Sequence, residues 1–232
     1  MSPATVWAVV PAAGRGTRFG GEVPKQYLQA AGKPLIEHAL SALLAHPSVA
    51  GAMVALAVDD GRWPGWTSLH GKPVLHCVGG AERADSVLAA LEALPAEVPS
   101  DALVLVHDAA RPNLASHDLS RLIDVATAHA DGAILGAPVR DTLKRAGADG
   151  TIVATAPRDD LWRAFTPQAF RRDALGNALR AARAAGVRVT DEAMAMERAG
   201  AHPVLVEGRE DNLKVTTPAD LALADYLLSR RT

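Results

Sequence analysis

Arg15, Arg18 and Lys25 place three cations within eleven residues, beside Gly14 and Gly16 and directly after a short apolar run. The string Pro11-Ala12-Ala13-Gly14-Arg15-Gly16-Thr17-Arg18 lets the backbone approach a ligand closely and aim successive N–H groups at phosphate oxygens. Pro24 restricts the chain just ahead of Lys25 and so lowers the entropy lost in holding its ammonium. Such a loop suits nucleotidyl transfer. A nucleoside triphosphate meeting a phosphomonoester assembles about six negative charges, of which one Mg²⁺ cancels two. The remaining repulsion must be offset by fixed donors and cations before a phosphate oxygen can reach the α-phosphorus.

Two other glycine-rich phosphate loops fit less well. The chain has no G-x-x-x-x-G-K-[ST] string. A dinucleotide fingerprint needs G-x-G-x-x-G, but Gly20 comes one residue late and Asp59 is too distant to be its acidic partner. Glycines alone would also fit an ordinary tight strand–helix turn; the cations argue against that.

Further along, Asp108 follows a buried apolar run in the string His107-Asp108-Ala109-Ala110-Arg111-Pro112. An acid at a strand's carboxyl end could bind Mg²⁺, accept hydroxyl hydrogen bonds from a sugar-like substrate, or cap a turn. His107 reads as structural, because an ionised phosphoryl acceptor needs no base. In Gly79-Gly80-Ala81-Glu82-Arg83-Ala84-Asp85-Ser86, Arg83 and Ser86 lie three apart on one helical face. They suit contact with a base or ribose, the alternative being a plain connection. Thr166-Pro167-Gln168, Thr190-Asp191-Glu192 and Asn212-Leu213-Lys214-Val215-Thr216 follow or interrupt strand-like segments. Thr190 and Asp191 by themselves read as the N-cap of a helix running to Ala199. Strand alternation would put Lys214 opposite Leu213 and Val215, either solvated or aimed into a site.

The elements that must position these groups alternate. Strands are predicted at Val6–Val10, Ala52–Val58, Val74–Val78, Leu103–Val106, Ala133–Ala137 and Val204–Val206. Helical stripes are carried by Leu35 to Leu44, Ala84 to Leu91, Leu119 to Ala126 and Leu221 to Leu228. This predicts an α/β protein, a three-layer Rossmann-like fold on a mostly parallel sheet, with ligands beyond the strands' carboxyl ends. One stretch breaks the pattern. Arg140 to about Arg158 reads as two short polar strands around Ala148-Asp149-Gly150, either a solvated hairpin or an arm packed on a second subunit.

The 232 residues suit one domain, with residues 138–160 inserted in it as the hairpin or arm, and 49% hydrophobic content excludes a disordered chain. Aromatics at 4% and a net charge of −2 argue against nucleic acid or an anionic membrane as partners. No apolar run approaches a bilayer span, and Met1 to Pro11 reads as a first strand rather than a signal peptide. The single Cys77 and the scattered histidines exclude an internal disulfide and zinc-like spacing, so a cytoplasmic setting is expected.

Taken together, the motifs resemble the 2-C-methyl-D-erythritol 4-phosphate cytidylyltransferase family. The resemblance runs through P-A-A-G-x-G-x-R, P-K-Q-Y (Pro24 to Tyr27), G-G-x-x-R-x-x-S, H-D-A-A-R-P, P-V-x-D-T (Pro138 to Thr142), T-P-Q, T-D-E-A and N-x-K-V-T, in the family's order over nearly the whole chain. Phe19 stands where methionine is expected. The resemblance implies a nucleotidyltransferase fold with a protruding β-hairpin arm, CTP and a sugar-alcohol phosphate as substrates, Mg²⁺, and homodimers whose arms interlock. It implies that Arg18 and Lys25 stabilise the transition state and pyrophosphate, with Pro11, Ala12, Ala13, Gly14 and Gly16 along the nucleotide. Arg158 and Lys214 would orient the acceptor phosphate, Arg158 reaching the neighbouring subunit's site. Asp108, Ala109, Arg111, Thr142, Thr166 and Thr190 would line the acceptor pocket, and Gly80, Arg83 and Ser86 would hold the cytidine. The metal's ligands stay open. A ribitol-5-phosphate cytidylyltransferase, a non-catalytic nucleotide-binding module and a dinucleotide-dependent dehydrogenase are the competing readings.

Overall fold

The computed structural model describes residues 6–14 and 23–230. In chain order these form β1 (Val6–Pro11), a 3-10 turn (Lys25–Tyr27), β2 (Gln29–Ala30), β3 (Lys33–Pro34), α1 (Leu35–Leu44), β4 (Val49–Leu56) and β5 (Ser68–Leu69). Next come β6 (Lys72–Val78), α2 (Arg83–Glu92), β7 (Leu103–Val106), α3 (Ser116–Ala128), β8 (Ala133–Pro138), β9 (Leu143–Ala146) and β10 (Ile152–Ala156). The chain closes with β11 (Trp162–Arg171), α4 (Arg172–Ala184), α5 (Glu192–Arg198), β12 (Val204–Glu207) and α6 (Pro218–Ser229).

Among the described residues, eight strands form one sheet in the order β12-β8-β11-β7-β1-β4-β6-β5. All share one direction except β11 and the short β5. The side chains of β1 explain the three layers. Val6, Ala8 and Val10 join a core with α1 and α3, while Trp7 and Val9 join a second core with α2, α4 and α5. A strand covered on both faces must be apolar at every position, and β1 is. No helix among these residues is long and apolar enough to cross a membrane.

Four features depart from the sequence reading. The stretch between the first predicted strand and the Leu35 stripe, which carries no predicted element, contains the turn at Lys25 and a small β2–β3 ladder, closed at Ala31 and Gly32 with φ of 46° and 76°. The strand expected over 52–58 starts at Val49 and stops at Leu56, because Asp59-Asp60-Gly61 turns the chain and leaves Val58 75% exposed. Helix α4 is absent from the predicted helices, although Leu175, Ala178, Leu179 and Ala182 stand at helical spacing on its buried face. The antiparallel β11 was hidden by Pro167, which sits where the register against β8 slips between Ala164 and Gln168. A bulge is where a strand tolerates proline.

Beyond β7, the chain is tied into the core. His107 is fully buried and its Nε2 donates to the Arg111 carbonyl at 3.0 Å. The carbonyl can only accept, so Nδ1 is unprotonated and takes a hydrogen bond from the Thr166 hydroxyl at 3.0 Å. Thr166 Oγ1 in turn accepts the Asp108 N–H at 3.0 Å, and Asn212 Nδ2 donates to the Thr166 carbonyl at 2.8 Å. The inserted β11 thus fixes the backbone of Asp108.

Burial pushes the His107 pKa down from 6.5 to about 4. Between those values the unfolded chain binds more protons than the folded one, so stability falls as pH drops through the window. Asp108, whose pKa is depressed, loses its contribution only below the ordinary carboxylate pKa of about 4 and stays out of it. Urea unfolding between about pH 6.5 and 4.5 should therefore cost the wild type about 2 kcal/mol more than a His107→Gln variant. Equal pH dependence in the two proteins would remove His107 as the source.

Candidate functional site

A cavity of about 310 Å³ opens beyond the carboxyl ends of β1, β6 and β7, within the size range of small-molecule sites. Its first wall is Pro11, Ala12, Ala13 and Gly14, with Lys25 beside them. The turn that carries Lys25 is pinned on both sides. Gln26 Nε2 donates to the Ala12 carbonyl at 2.7 Å, and Tyr27 Oη donates to Asp60 Oδ2 at 2.7 Å. Burial and the Asp60 carboxylate raise the Tyr27 pKa, so the phenol stays a donor. Gly16 and Arg18 lie outside the described residues.

The second wall runs from Gly80 to Ser86. Its two glycines have a packing reason. A Cβ on Gly79 would lie 2.6 Å from the Ala13 Cβ, and one on Gly80 would lie 2.3 Å from the Asp85 Cβ. Ser86 Oγ accepts the Gly80 N–H at 3.1 Å and donates to the Glu82 carbonyl at 3.1 Å, so its hydroxyl holds the turn. Arg83 lines the cavity, and three of its N–H groups are directed at carboxylates. Nε donates to Asp108 Oδ1 at 2.9 Å, while the two terminal nitrogens reach Glu192 at 2.6 and 3.0 Å. Burial works against the Arg83 charge, but Glu192 and then Asp108 outweigh it and raise its pKa.

The third wall is Asp108, Ala109 and Ala110, faced by Lys214 and Thr216. Lys214 Nζ lies 2.8 Å from Asp108 Oδ2, and Arg111 Nε lies 3.7 Å from the same oxygen. Burial alone would raise the Asp108 pKa; Arg83, Lys214 and Arg111 more than reverse this and hold it well below the usual carboxylate range. Lys214 is not placed by strand alternation, for residues 208–217 form no strand. Its neighbours are tethered instead: the Val215 N–H donates to the Ala110 carbonyl at 2.9 Å, and Arg111 donates to the Asn212 carbonyl at 2.6 Å.

The fold therefore gathers Pro11, Ala12, Ala13, Gly14, Lys25, Gly80, Arg83, Ser86, Asp108, Ala109 and Lys214 at one cavity. Thr166 and Arg111 sit one step behind it, the first as the Asp108 clamp and the second stacked 5.1 Å over the Phe165 ring. Thr142, Arg158 and Thr190 are exposed and are not part of the cavity wall. Thr142 and Arg158 flank the β9–β10 hairpin, and the Arg158 guanidinium donates to the Arg140 carbonyl. Gln168 and Glu192 stand in strings that the sequence singles out, with no role attached to either. Gln168 Oε1 accepts the Ala193 N–H at 2.8 Å and its Nε2 donates to Asp191 at 2.9 Å, locking the start of α5 to β11. No local signal marked this work, because Gln168 lies in a strand that is not among those predicted. Asp191 caps α5 by accepting the Met194 N–H at 3.0 Å.

Chemically, the cavity offers a main-chain wall, ammonium groups from two loops, and one acid kept ionised. No group of three or more His, Cys, Asp or Glu among the described residues is arranged to hold a metal, and both Asp108 oxygens already face cations.

Known proteins are similar to this chain over nearly its whole length. The profile of the family described as 2-C-methyl-D-erythritol 4-phosphate cytidylyltransferase matches residues 6–230. A protein of that name from Stenotrophomonas maltophilia (strain K279a) is 66% identical over 228 residues, covering 98% of each chain. One from Xanthomonas campestris pv. campestris (strain 8004) is 66% identical over 227 residues, covering 98% of this chain and 86% of its own. Among solved structures, a 4-diphosphocytidyl-2C-methyl-D-erythritol synthase superposes with a TM-score of 0.84 at 36% identity, covering 97% of this chain and 99% of the other. The Francisella tularensis 2-C-methyl-D-erythritol 4-phosphate cytidylyltransferase does so with a TM-score of 0.82 at 31% identity, covering 96% and 99%. Agreement of this extent in both sequence and backbone leaves one assignment: the chain belongs to the 2-C-methyl-D-erythritol 4-phosphate cytidylyltransferase family.

Proposed function

We propose that this chain transfers the cytidylyl group of CTP to 2-C-methyl-D-erythritol 4-phosphate, giving 4-diphosphocytidyl-2-C-methyl-D-erythritol and pyrophosphate for isoprenoid precursor synthesis. Family membership supplies the substrates. The observation that carries the chemistry is the convergence of Lys25, the Pro11–Gly14 backbone and the Asp108–Lys214 pair on one cavity. The acceptor's phosphate oxygen attacks the α-phosphorus in line and pyrophosphate leaves. Lys25 and Arg18 offset the charge that builds on the phosphates during the exchange. Lys214 is held at the acid wall until an acceptor phosphate competes for its ammonium. Gly80 and Ser86 shape the cytidine side; Arg83, with Nε and both terminal nitrogens bonded to Asp108 and Glu192, braces the acid wall in place of the cytidine contact expected of it. A cytoplasmic setting belongs to the same reading and rests on the unpaired Cys77.

The experiment is pyrophosphate release with CTP and 2-C-methyl-D-erythritol 4-phosphate, run beside ribitol 5-phosphate. Release should require the first acceptor. Lys25→Ala and Arg18→Ala should each lower turnover on the order of 10²–10³-fold while melting like the wild type. A folded variant with near-full activity would sink that assignment.

Mg²⁺ belongs to this proposal in a restricted form. With Asp108 committed to cations, the described residues build no cage, so the ion fits as a companion of the triphosphate, held by its oxygens and water. When bound it neutralises phosphate charge. Excess chelator should stop pyrophosphate release and added Mg²⁺ restore it; undiminished release in chelator excludes a metal requirement.

The β9–β10 hairpin supplies the remaining element, as an arm joining a homodimer with shared sites. Ile152 and Val153 are 68% and 64% exposed, more apolar surface than so small a hairpin would carry unpartnered. Thr142 and Arg158 flank it outside their own chain's cavity, which suits residues that serve the cavity of a second copy. In a twofold dimer the exchange is reciprocal. Mixing Arg158→Ala with Lys25→Ala chains under subunit exchange puts both defects into one site of each heterodimer and leaves the other intact. Activity should return to about a quarter of wild type. Verified heterodimers that stay inactive would mean each chain completes its own site.

A further inference from the structure

Glu192 is 1% exposed, opens α5, and forms no part of the cavity wall. Both of its oxygens are nonetheless engaged by Arg83, which also bonds Asp108. We infer that Glu192 is a positioning residue for the reaction: through Arg83 it fixes the Asp108 carboxylate, and with it Lys214, in the cavity wall.

The geometry gives the reason. A guanidinium is planar and presents its N–H groups in a rigid fork, so an arginine held at two terminal nitrogens has no freedom left at Nε. The Glu192 contacts of 2.6 and 3.0 Å therefore fix the direction of the Nε–H that Asp108 Oδ1 accepts at 2.9 Å. Asp108 pinned through Oδ1 presents Oδ2 one way, toward Lys214 at 2.8 Å. Glu192 is itself placed by the core. Gln168 of β11 holds the Ala193 N–H and the Asp191 side chain on either side of it. Charge points the same way. Arg83, Arg111 and Lys214 surround Asp108, and without a second carboxylate the Arg83 fork would turn onto Asp108 and compete with Lys214 for it. A bridge of this kind suits a site that must hold its reacting groups closely, since a misplacement of about 1 Å can lower a rate on the order of 10²-fold.

The inference rests on the cytidylyl-transfer reading, which turnover by the unaltered chain tests separately. Glu192→Gln keeps the shape of the side chain and removes its charge. The folded variant should lose roughly 10–100-fold in kcat/KM for the acceptor phosphate, while half-saturation by CTP moves less than about threefold. A merely structural defect would lower the melting temperature without separating the two substrates. Arg83→Gln and the double variant complete the test. If Glu192 acts through Arg83, the double variant is no worse for the acceptor than Arg83→Gln alone. Should Glu192→Gln fail to fold, the double variant, which leaves neither charge of the pair buried alone, carries the measurement. Acceptor kcat/KM within about twofold of wild type in a folded Glu192→Gln or double variant overturns the inference, as do losses that multiply when the two substitutions are combined.

Discussion

A carboxylate removed from water keeps its charge only where cations are held against it, and Asp108, 7% exposed, has three. They come from separate parts of the chain. Arg83 begins α2, Arg111 follows in the same turn as the acid, and Lys214 stands in the segment after β12. Each must be aimed by its own supports, and those supports account for much of the surrounding polar structure. Removing one partner from such a cluster leaves the others uncompensated, commonly at about 3–5 kcal/mol. The ion cluster thus joins the segments that a parallel sheet alone would leave as independent loops.

The sheet contributes order of a different kind. Because β1 is buried on both faces, two helical layers are packed against it, and the loop after it emerges at a fixed height above the cores. The reversal of β11 between β7 and β8 lets a strand present Thr166 and Gln168 to the segments that carry Asp108 and Glu192. One strand therefore braces both carboxylates that grip Arg83.

Legibility in the sequence followed physical rules. The βα alternation and the loop at Pro11–Gly14 were readable because apolar runs and glycine–cation clusters are local signals. Asp108 was visible from its place after a buried strand. The same signals failed at β11, where Pro167 and charged ends concealed ten residues of strand; α4 was legible in Leu175, Ala178, Leu179 and Ala182 at helical spacing, yet it is missing from the predicted helices. Lys214 was judged by alternation along a strand that does not exist; two long-range hydrogen bonds orient its neighbours instead. Gln26, Gln168 and Glu192 lie in recognisable strings, yet their bonds cross 14, 23 and 109 residues of chain. No spacing rule reports contacts of that span.

Much of the cavity wall has almost no side chains of its own. Pro11, Ala12, Ala13, Gly14, Gly80, Ala81, Ala109 and Ala110 meet a ligand largely with backbone amides, carbonyls and methyl groups. A surface written in main-chain atoms keeps its pattern of donors and acceptors through a change of side chain, because proline alone alters the peptide group itself. It is also hard to retune. Ala13 and the site of a Gly79 Cβ contend for one methyl-sized space, so a larger residue at either position shifts two loops together. A change of ligand preference along this wall must therefore arise from moving whole loops, by insertion, deletion or repacking beneath them, rather than from exchanging one contact residue for another.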